Sequence, residues 1–250
     1  MNEKTIRPKV SVIIPFYKRY EFVVRAIDSV LTQTYTNFEI LLINDGTPNN
    51  AGVDEIVKQS EKIRYFKLEK NVGPSGARNY GIKYSKGTYI AFLDSDDQWE
   101  KNKLSVQIEM MEKNSWDFSH TSYWRHDTSV DKIEIVRSGR GINKYPLIAF
   151  HCSIVTPSVV IRRELLQKYL FNPELRIGED VLLWMELSRK TKIHGIDQPL
   201  AHVYIGHQNH VKDKAIKEYG LYVIGREAFS NNFILCLIHK VYRRLRTIVK

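Results

Sequence analysis

The sequence is organised around nine residues, Tyr89–Asp97, which read YIAFLDSDD. The first five residues of this stretch are largely apolar and predict a buried strand, and three carboxylates follow within the next four positions. Ionised carboxylates this close repel one another, and they are costly at the edge of an apolar sheet unless a cation lies among them. A divalent metal such as Mg²⁺ or Mn²⁺, whose coordination substrate phosphates can complete, explains the pattern. The alternative is an acidic turn that caps a helix starting near Lys101.

Size and composition indicate an ordinary globular protein. The 250 residues can form one large or two small domains, and 43% hydrophobic residues are enough for a core. There is no apolar run long enough to span a membrane, and the charged start at Met1–Lys9 does not look like a signal peptide, so we expect a cytoplasmic protein. Cys152 and Cys236 lie far apart without metal-ligand spacing, which predicts reduced, buried thiols.

The net charge of +10 is concentrated in the last part of the chain. Residues 212–250 carry nine Lys and Arg against three Asp and Glu. From Phe233 onward, apolar residues recur every three or four positions between the cations, which predicts a basic amphipathic helix over 233–250. This helix could pack on the globular body or lie on the cytoplasmic face of an anionic membrane, and we favour the membrane because so many cations interrupt the apolar positions. Nucleic acid is not expected as a partner, because no recognised binding motif accompanies the charge.

The first half of the sequence alternates strands with helices. Apolar runs predict four strands, and helical periodicity or turn residues separate them. The strands are predicted at Val10–Ile14, Phe38–Ile43, Ile63–Lys67 and Tyr89–Leu93, with helices at about 22–31, at 54–61 and from Ala77 onward. This alternation predicts an α/β fold with a mainly parallel central sheet and helices on both faces. Ligands of such sheets bind at the carboxyl ends of the strands, where Pro15, Asp45 and Asp94 fall.

Two common nucleotide-binding motifs are absent from the sequence. A dinucleotide oxidoreductase needs G-x-G-x-x-G after the first strand, where this chain has Pro15–Arg19, and no G-x-x-x-x-G-K-[ST] P-loop occurs. What remains is a nucleotide site built from Tyr17 for stacking, Asp45 for polar groups of the base or ribose, Arg78 as a cation, and a metal for the diphosphate.

The second half predicts further strands at 116–124 and 159–161 and a helix at 163–169. The polar segment 127–143 is either a mobile segment that closes over a ligand or a solvated hairpin. Glu179 and Asp180 precede apolar residues at helical spacing, so they sit at the start of a helix. On sequence alone, capping of that helix is the simpler interpretation, because acids are common in first turns, where the helix dipole favours their ionised form.

Three histidines, at positions 202, 207 and 210, follow a strand predicted near Leu200–Tyr204. By composition they could form a zinc site, although isolated histidines are usually surface or core residues.

Five motifs stand in an order that resembles family-2 glycosyltransferases with the GT-A fold. The resemblance covers roughly Lys9 to His210, and its specificity comes from five motifs in register over that length. The motifs are SVIIPFY at 11–17, INDG at 43–46, NVGPSGARN at 71–79, DSDD at 94–97 and GEDV at 178–181. The resemblance implies a GT-A domain at 1–211, with a nucleotide-binding half at about 9–97 and an acceptor half at about 98–211, followed by a basic helical extension at 212–250.

The resemblance also implies roles for individual residues. Pro15, Tyr17, Asp45, Arg78 and Asp94 match the nucleotide pocket, with Asp94 as the acid that contacts the ribose. Asp96 matches the metal ligand that reaches the diphosphate, and Asp97 an acid behind it. Asp180 matches the catalytic base and Glu179 its neighbour, which orients it or contacts the acceptor. His207 matches a histidine that contacts the metal or diphosphate, although Ile205 replaces the usual arginine, and Asn44 replaces a frequent Asp.

Taken together, the resemblance implies an inverting glycosyltransferase that uses Mn²⁺ or Mg²⁺. It would move a sugar from a nucleotide diphosphate donor, most often a UDP-sugar, to a hydroxyl of a glycan or lipid-linked acceptor. We expect a hexosyl- or N-acetylhexosaminyltransferase that acts in cell-surface polysaccharide synthesis. The alternatives are a nucleotidyltransferase that makes the sugar nucleotide, which would normally show a glycine-rich basic loop after the first strand, and a binding module that does not turn the donor over. The sequence leaves the oligomeric state open.

Overall fold

The structure is a computed structural model that describes residues 8–48, 52–58, 60–140, 143–145, 147–150, 152–206 and 223–226. Nine strands form one sheet in the described chain. They are β1 Val10–Phe16, β2 Phe38–Asn44, β3 Ile63–Lys67, β4 Tyr89–Phe92, β5 Gln98–Trp99, β6 Phe118–Asp127, β7 Lys132–Val136, β8 Val159–Arg162 and β9 His194–Ile205. The order across the sheet is β3-β2-β1-β4-β8-β6-β9-β5, and β7 pairs with β6.

The helices lie on both faces of this sheet. They are α1 Tyr20–Leu31, α2 Val53–Lys58, α3 Gly73–Tyr84, α4 Lys103–Asn114, α5 Leu147–Phe150, α6 Arg163–Leu166 and α7 Glu179–Ser188. Two short 3₁₀ turns lie at Ser138–Arg140 and Thr156–Ser158. No helix of the described ranges combines the length and the apolar character needed to cross a membrane.

The central strand β1 shows why the sheet is covered on both faces. All seven of its residues are buried. Ile13 faces a core shared with α3 and α7, whereas Val12 and Ile14 face a second core shared with α1 and α4. Because successive strand residues point to opposite faces, a strand that is apolar on both faces, as β1 is apart from Ser11, must be buried on both sides. The position of β1 between β2 and β4 accounts for its burial on both faces.

The predicted parallel arrangement holds for the four strands of the first half. β1 pairs in parallel with β2 and β4, and β2 pairs in parallel with β3. The second half is mixed: β8 joins β4 and β6 in antiparallel orientation, while β9 runs parallel to β6. The parallel part is the one that aligns the carboxyl ends of β1, β2 and β4 along one edge.

The polar segment 127–143 is a hairpin where the structure describes it. β7 pairs with β6 from Tyr123↔Val136 to Asp127↔Lys132. The 3₁₀ turn after β7 then packs against β9, and a Cβ added to Gly139 would lie 2.3 Å from the carbonyl oxygen of Ile196. A side chain at Gly139 would therefore separate the two backbones. The hairpin, the second of the two sequence interpretations, is the observed structure.

Part of the basic extension contacts the core. Residues 223–226 are helical, and Val223 and Ile224 are buried in the core that includes α7. The Cδ1 atom of Ile224 would lie 2.7 Å from a Cβ added to Gly178, the residue before α7. Residues 233–250, for which an amphipathic helix is predicted, lie outside the described residues, as does Cys236.

We expect Gly195→Ala to lower the free energy of unfolding by about 1–3 kcal/mol, the usual range for overpacking. A Cβ at position 195 would lie 2.2 Å from the carbonyl oxygen of Gly139. This oxygen belongs to the backbone, so it cannot rotate away as the end of a side chain could. Gln198→Ala, at an exposed position of the same strand, is the matched control. Urea unfolding of both variants measures the difference. Equal midpoints would mean that the close approach of the two backbones is not maintained in solution.

Candidate functional site

A cleft of about 660 Å³ lies at the carboxyl ends of β1, β2 and β4. Its walls come from the turn after β1, the residues before and within the start of α3, the acidic loop after β4, the loop before α7 and the end of β9. The sequence-predicted residues that line it are Pro15, Tyr17, Asp45, Arg78, Asp94, Asp96 and Asp97. Residues from four separate motifs thus meet at the sheet edge that the parallel strands define.

The turn after β1 places an aromatic ring beside the cleft. Tyr17 is 42% exposed, and its ring faces the ammonium group of Lys18 at 4.9 Å. Lys18 and Arg19 both have left-handed backbone conformations, with φ of 58° and 54°. Two successive non-glycine residues of this kind are uncommon. The amide of Lys18 donates to Thr47 Oγ1 at 2.9 Å, which holds the turn against the end of β2.

Asp45 fixes the start of α3. Its carboxylate accepts the amide hydrogens of Val72 at 2.7 Å and of Gly73 at 3.0 Å, and it is 4% exposed. Burial raises the pKa of Asp45 above its ordinary value, while these two hydrogen bonds oppose the rise. Asp45 therefore shapes one wall of the cleft by capping the loop that lines it.

Asn44, which stands where the family often has Asp, has a structural role. Its side-chain amide donates to the hydroxyl of Tyr65 at 2.8 Å, and its oxygen accepts from the amide of Thr47 at 2.8 Å. Asn44 is fully buried. An amide can donate and accept at the same time, whereas an ionised carboxylate could only accept.

Arg78 lies at the base of the cleft, between two acids. Its guanidinium donates to Asp94 Oδ1 at 2.7 Å and to Glu179 Oε1 at 3.0 Å, and the side chain is only 5% exposed. Burial lowers the pKa of Arg78, but the charges of Asp94, Glu179 and Asp180 outweigh that effect and hold the pKa above its ordinary value. Arg78 thus joins the acidic loop to the start of α7 and stays charged.

The acidic loop contains one acid that is turned inward. Asp97 is 4% exposed and accepts the backbone amide hydrogen of Tyr204 at 2.9 Å. Burial, followed by the charges of Asp94 and Asp96, raises the pKa of Asp97 well above its ordinary value. Asp97 therefore ties the loop to the end of β9, and Asp94 and Asp96 remain the acids whose surroundings are more open.

The carboxylate oxygens in the cleft suit a metal ion that binds few protein ligands. In the described part of the chain, no three His, Cys, Asp or Glu side chains are grouped so that they could hold a metal ion. Carboxylates such as Asp94 and Asp96 supply hard oxygens of the kind that Mg²⁺ and Mn²⁺ prefer, and both ions bind through one or two carboxylates when phosphate oxygens complete the shell. The residues present thus fit a metal held jointly with a substrate diphosphate.

Asp180 lies close to the acidic cluster, although it is not among the residues that line the cleft. One carboxylate oxygen accepts from the amide of Val181 at 2.7 Å, and the other lies 3.5 Å from Thr156 Oγ1. Burial and the charge of Glu179 raise the pKa of Asp180 to about 7, against the effect of Arg78. The helix start alone would favour the ionised form, but burial and Glu179 outweigh it, so the carboxyl titrates near neutral pH.

Of the three histidines at 202, 207 and 210, only His202 lies in the described residues. His202 contacts His126 Nε2 through Nδ1 at 2.9 Å and Glu100 Oε1 through Nε2 at 2.8 Å. His207, predicted to contact the metal or diphosphate, lies outside the described residues, as does His210.

Several residues of the site escaped sequence reasoning. Arg19, Ser75, Arg176 and Tyr204 line the cleft, and Thr156 lies beside Asp180. Ser75 belongs to the motif at 71–79 and could have been singled out there. Arg176 comes from a loop and Thr156 from a short 3₁₀ turn, neither of which has a periodic pattern, so only the fold brings them to the site.

Comparison with known proteins supports the resemblance. The sequence model of glycosyl transferase family 2 matches residues 11–170 of this chain. An uncharacterised glycosyltransferase of Rickettsia felis is 46% identical over 79% of this chain, which spans only 33% of that relative. An Escherichia coli protein named UDP-Glc:alpha-D-GlcNAc-diphosphoundecaprenol beta-1,3-glucosyltransferase WfgD is 34% identical, over 75% of this chain and 73% of its own length.

The fold is shared with a solved structure. TarS of S. aureus, residues 1–349 in complex with UDP-GlcNAc, superposes with a TM-score of 0.74 at 20% identity, over 88% of this chain and 65% of that one. The mixed sheet flanked by helices agrees with this neighbour, which confirms the predicted GT-A α/β fold. The family model matches more than half of this chain, and the chain therefore belongs to glycosyl transferase family 2.

The pKa of Asp180 predicts how its replacement changes stability with pH. Between the unfolded pKa of about 4 and the folded pKa of about 7, the folded protein keeps a proton that the unfolded chain has lost. The stability of the wild-type protein therefore falls as pH rises through this window. Asp180→Asn has no carboxyl group that titrates at this position, so its stability does not fall for this reason. Its free energy of unfolding relative to wild type should therefore rise by up to about 1.4 kcal/mol per pH unit in this window.

Urea unfolding at pH 4.5, 6 and 8 measures this effect. Glu174→Gln, at an exposed acid of the loop before α7, is the control for the removal of one carboxylate. A stability difference between Asp180→Asn and wild type that stays constant with pH would contradict the raised pKa.

Proposed function

We propose that this member of glycosyl transferase family 2 is an inverting glycosyltransferase that uses a nucleotide diphosphate sugar, most simply a UDP-sugar. The single observation that carries the proposal is the linkage of Arg78 to both Asp94 and Glu179. This linkage brings an acid of the cleft next to the start of α7, where Asp180 lies. A donor held in the cleft would therefore have a carboxylate base within reach of its anomeric carbon.

The nucleotide half of the cleft offers groups for each part of the donor. Tyr17 presents an exposed ring on which a base can stack. Pro15 and the loop capped by Asp45 shape the wall beside it. Asp94, whose side chain is 29% exposed while it also accepts from Arg78, can take a ribose hydroxyl hydrogen.

The diphosphate belongs at the acidic loop. Asp96, with His207 as a further candidate from outside the described residues, would hold Mn²⁺ or Mg²⁺ together with phosphate oxygens. When bound, the metal neutralises the charge that develops on the departing nucleotide diphosphate. Arg78 contributes a fixed positive charge behind the acids, because two carboxylates and burial hold its guanidinium in place.

Asp180 would act as the base. As the acceptor hydroxyl oxygen forms its bond to the anomeric carbon, the bond from that carbon to the diphosphate oxygen breaks, and the carboxylate of Asp180 takes the hydroxyl proton. Attack opposite the leaving group inverts the anomeric configuration. A pKa of about 7 leaves much of the carboxyl ionised at neutral pH and makes it a stronger base than an ordinary carboxylate. Glu179, held by Arg78, can orient Asp180 or contact the acceptor.

The acceptor side of the proposal draws on relatives. WfgD is named for transfer to GlcNAc-diphosphoundecaprenol, which suggests a glycan or lipid-linked acceptor and a role in cell-surface polysaccharide synthesis. A lipid-linked acceptor would bring the protein to the cytoplasmic face of an anionic membrane, where the cations of 233–250 could contribute. The sugar would be a hexose or an N-acetylhexosamine, as in the names of the relatives and of the TarS complex.

We expect UDP to bind in a metal-dependent way, because metal and diphosphate complete one another's coordination. Titration calorimetry in Mn²⁺ should give an affinity at least about ten-fold higher than in chelator, equivalent to about 1.4 kcal/mol. Asp96→Asn should remove most of this difference, whereas Asp127→Asn, an acid at the end of β6, should leave it unchanged. Equal affinity with and without metal in the wild type would exclude the metal from donor binding.

We expect Asp180→Asn to lower sugar transfer by about 10² or more, the usual scale for loss of a general base, with UDP affinity within a few-fold of wild type. Asparagine is nearly isosteric but cannot accept the proton. Product formation at saturating donor, beside a UDP titration of the same sample, measures both quantities. The wild-type rate should also rise with pH through about 7.

Glu179→Gln separates the two acids, because it should retain more transfer than Asp180→Asn if Glu179 only orients its neighbour. Near wild-type transfer by Asp180→Asn would assign the base elsewhere. A nucleotidyltransferase would instead consume a nucleoside triphosphate, and a binding module would bind UDP-sugar without releasing UDP.

A further inference from the structure

The positive charge of Arg78 is already paired with carboxylates and is not free to neutralise a donor diphosphate in the cleft. Both terminal nitrogens of the Arg78 guanidinium already donate to carboxylates, Asp94 and Glu179, at 2.7 and 3.0 Å. One positive charge between two negative charges leaves the group negative overall. A donor diphosphate placed beside it would meet a further carboxylate at Asp96, so it needs a cation that is not already paired.

Arg19, in the turn after β1, meets this requirement. It lines the cleft, and its Nη1 atom is buried without a hydrogen-bond partner in the described part of the chain. Arg19 forms no ion pair with a carboxylate of the described residues, and its Cζ atom lies 6.0 Å from the ring of Phe22. A buried guanidinium nitrogen is normally hydrogen-bonded, because leaving it unpaired is costly.

The backbone explains how Arg19 reaches the cleft. Lys18 and Arg19 both adopt left-handed conformations directly after β1, and the hydrogen bond from the Lys18 amide to Thr47 Oγ1 holds this turn. The neighbouring cation, Lys18, faces the ring of Tyr17 and is not among the lining residues. Conformations of this kind persist where the surrounding structure enforces them, and they are frequent at ligand sites.

We infer that Arg19 binds the diphosphate of the donor, as a phosphate-binding residue in addition to the acids and the metal. The inference rests on the proposed function for the identity of the nucleotide, but its chemistry is that of a guanidinium and a diphosphate. The planar guanidinium presents several N–H donors to phosphate oxygens, and its charge offsets that of the departing diphosphate. Arg19 would therefore contribute to both donor affinity and leaving-group stabilisation.

Arg25, on the helix α1 that directly follows Arg19, provides a matched control. Its guanidinium also lies near the ring of Phe22, at 5.1 Å, yet it does not line the cleft. Arg19→Gln and Arg25→Gln remove the same charge from neighbouring turns of the chain. Arg19→Lys keeps the charge at position 19 but loses the planar arrangement of donors.

Calorimetric titration with UDP, uridine and inorganic pyrophosphate, each with Mn²⁺, tests the inference. Arg19→Gln should lower the affinity for UDP and for pyrophosphate by about ten-fold or more, which is the scale of a lost hydrogen bond to a charged group. The affinity for uridine should stay within about two-fold of the wild-type value. Arg19→Lys should give an intermediate loss, and Arg25→Gln should bind all three as the wild type does. Circular dichroism confirms that each variant is folded.

Three results would overturn the inference. They are an unchanged UDP affinity in Arg19→Gln, an equal loss for uridine and UDP, and the same loss in Arg25→Gln. Wild-type protein that binds pyrophosphate through Arg19 but not UDP would refute the nucleotide-sugar proposal and leave the phosphate site standing. Wild-type protein that binds neither probe would refute both.

Discussion

The organisation of the site depends on the buried guanidinium of Arg78. It donates to Asp94 from the loop after β4 and to Glu179 at the start of α7, and it lies 5.2 Å from the ring of Phe171. A buried ion pair contributes little net stability, but removing one partner leaves an uncompensated charge. The arrangement therefore fixes the positions of the two acids relative to each other more than it stabilises the fold.

The loop between α6 and α7 is held by contacts with α3, the helix that carries Arg78. Asn79, next to Arg78 on α3, exchanges two hydrogen bonds with the backbone of Phe171, at 2.8 and 3.0 Å. The residues that follow lead to Gly178, whose φ of 78° requires the left-handed conformation that glycine adopts without strain. One face of α3 thus sets the path of the chain into α7, and with it the place of Asp180.

Electrostatics inside this arrangement gives similar side chains different properties. Asp97 is buried and linked to β9, so its pKa is raised well above the ordinary value, whereas Asp94 is paired with Arg78. Asp180, beside Glu179, titrates near 7. Carboxyl groups that differ only in burial and neighbours are thereby suited to structural, binding and proton-accepting roles.

The sequence by itself determined the parallel strands β1 to β4 and the polar residues at their ends, because apolar runs and turn residues are local signals. It also determined family membership, through motifs such as DSDD at 94–97. Only the tertiary structure decided that Arg78 is shared between Asp94 and Glu179, that Asp45 caps α3, and that Asp180 titrates near neutral pH. These properties depend on distances between residues far apart in sequence and on burial, which a linear pattern does not contain.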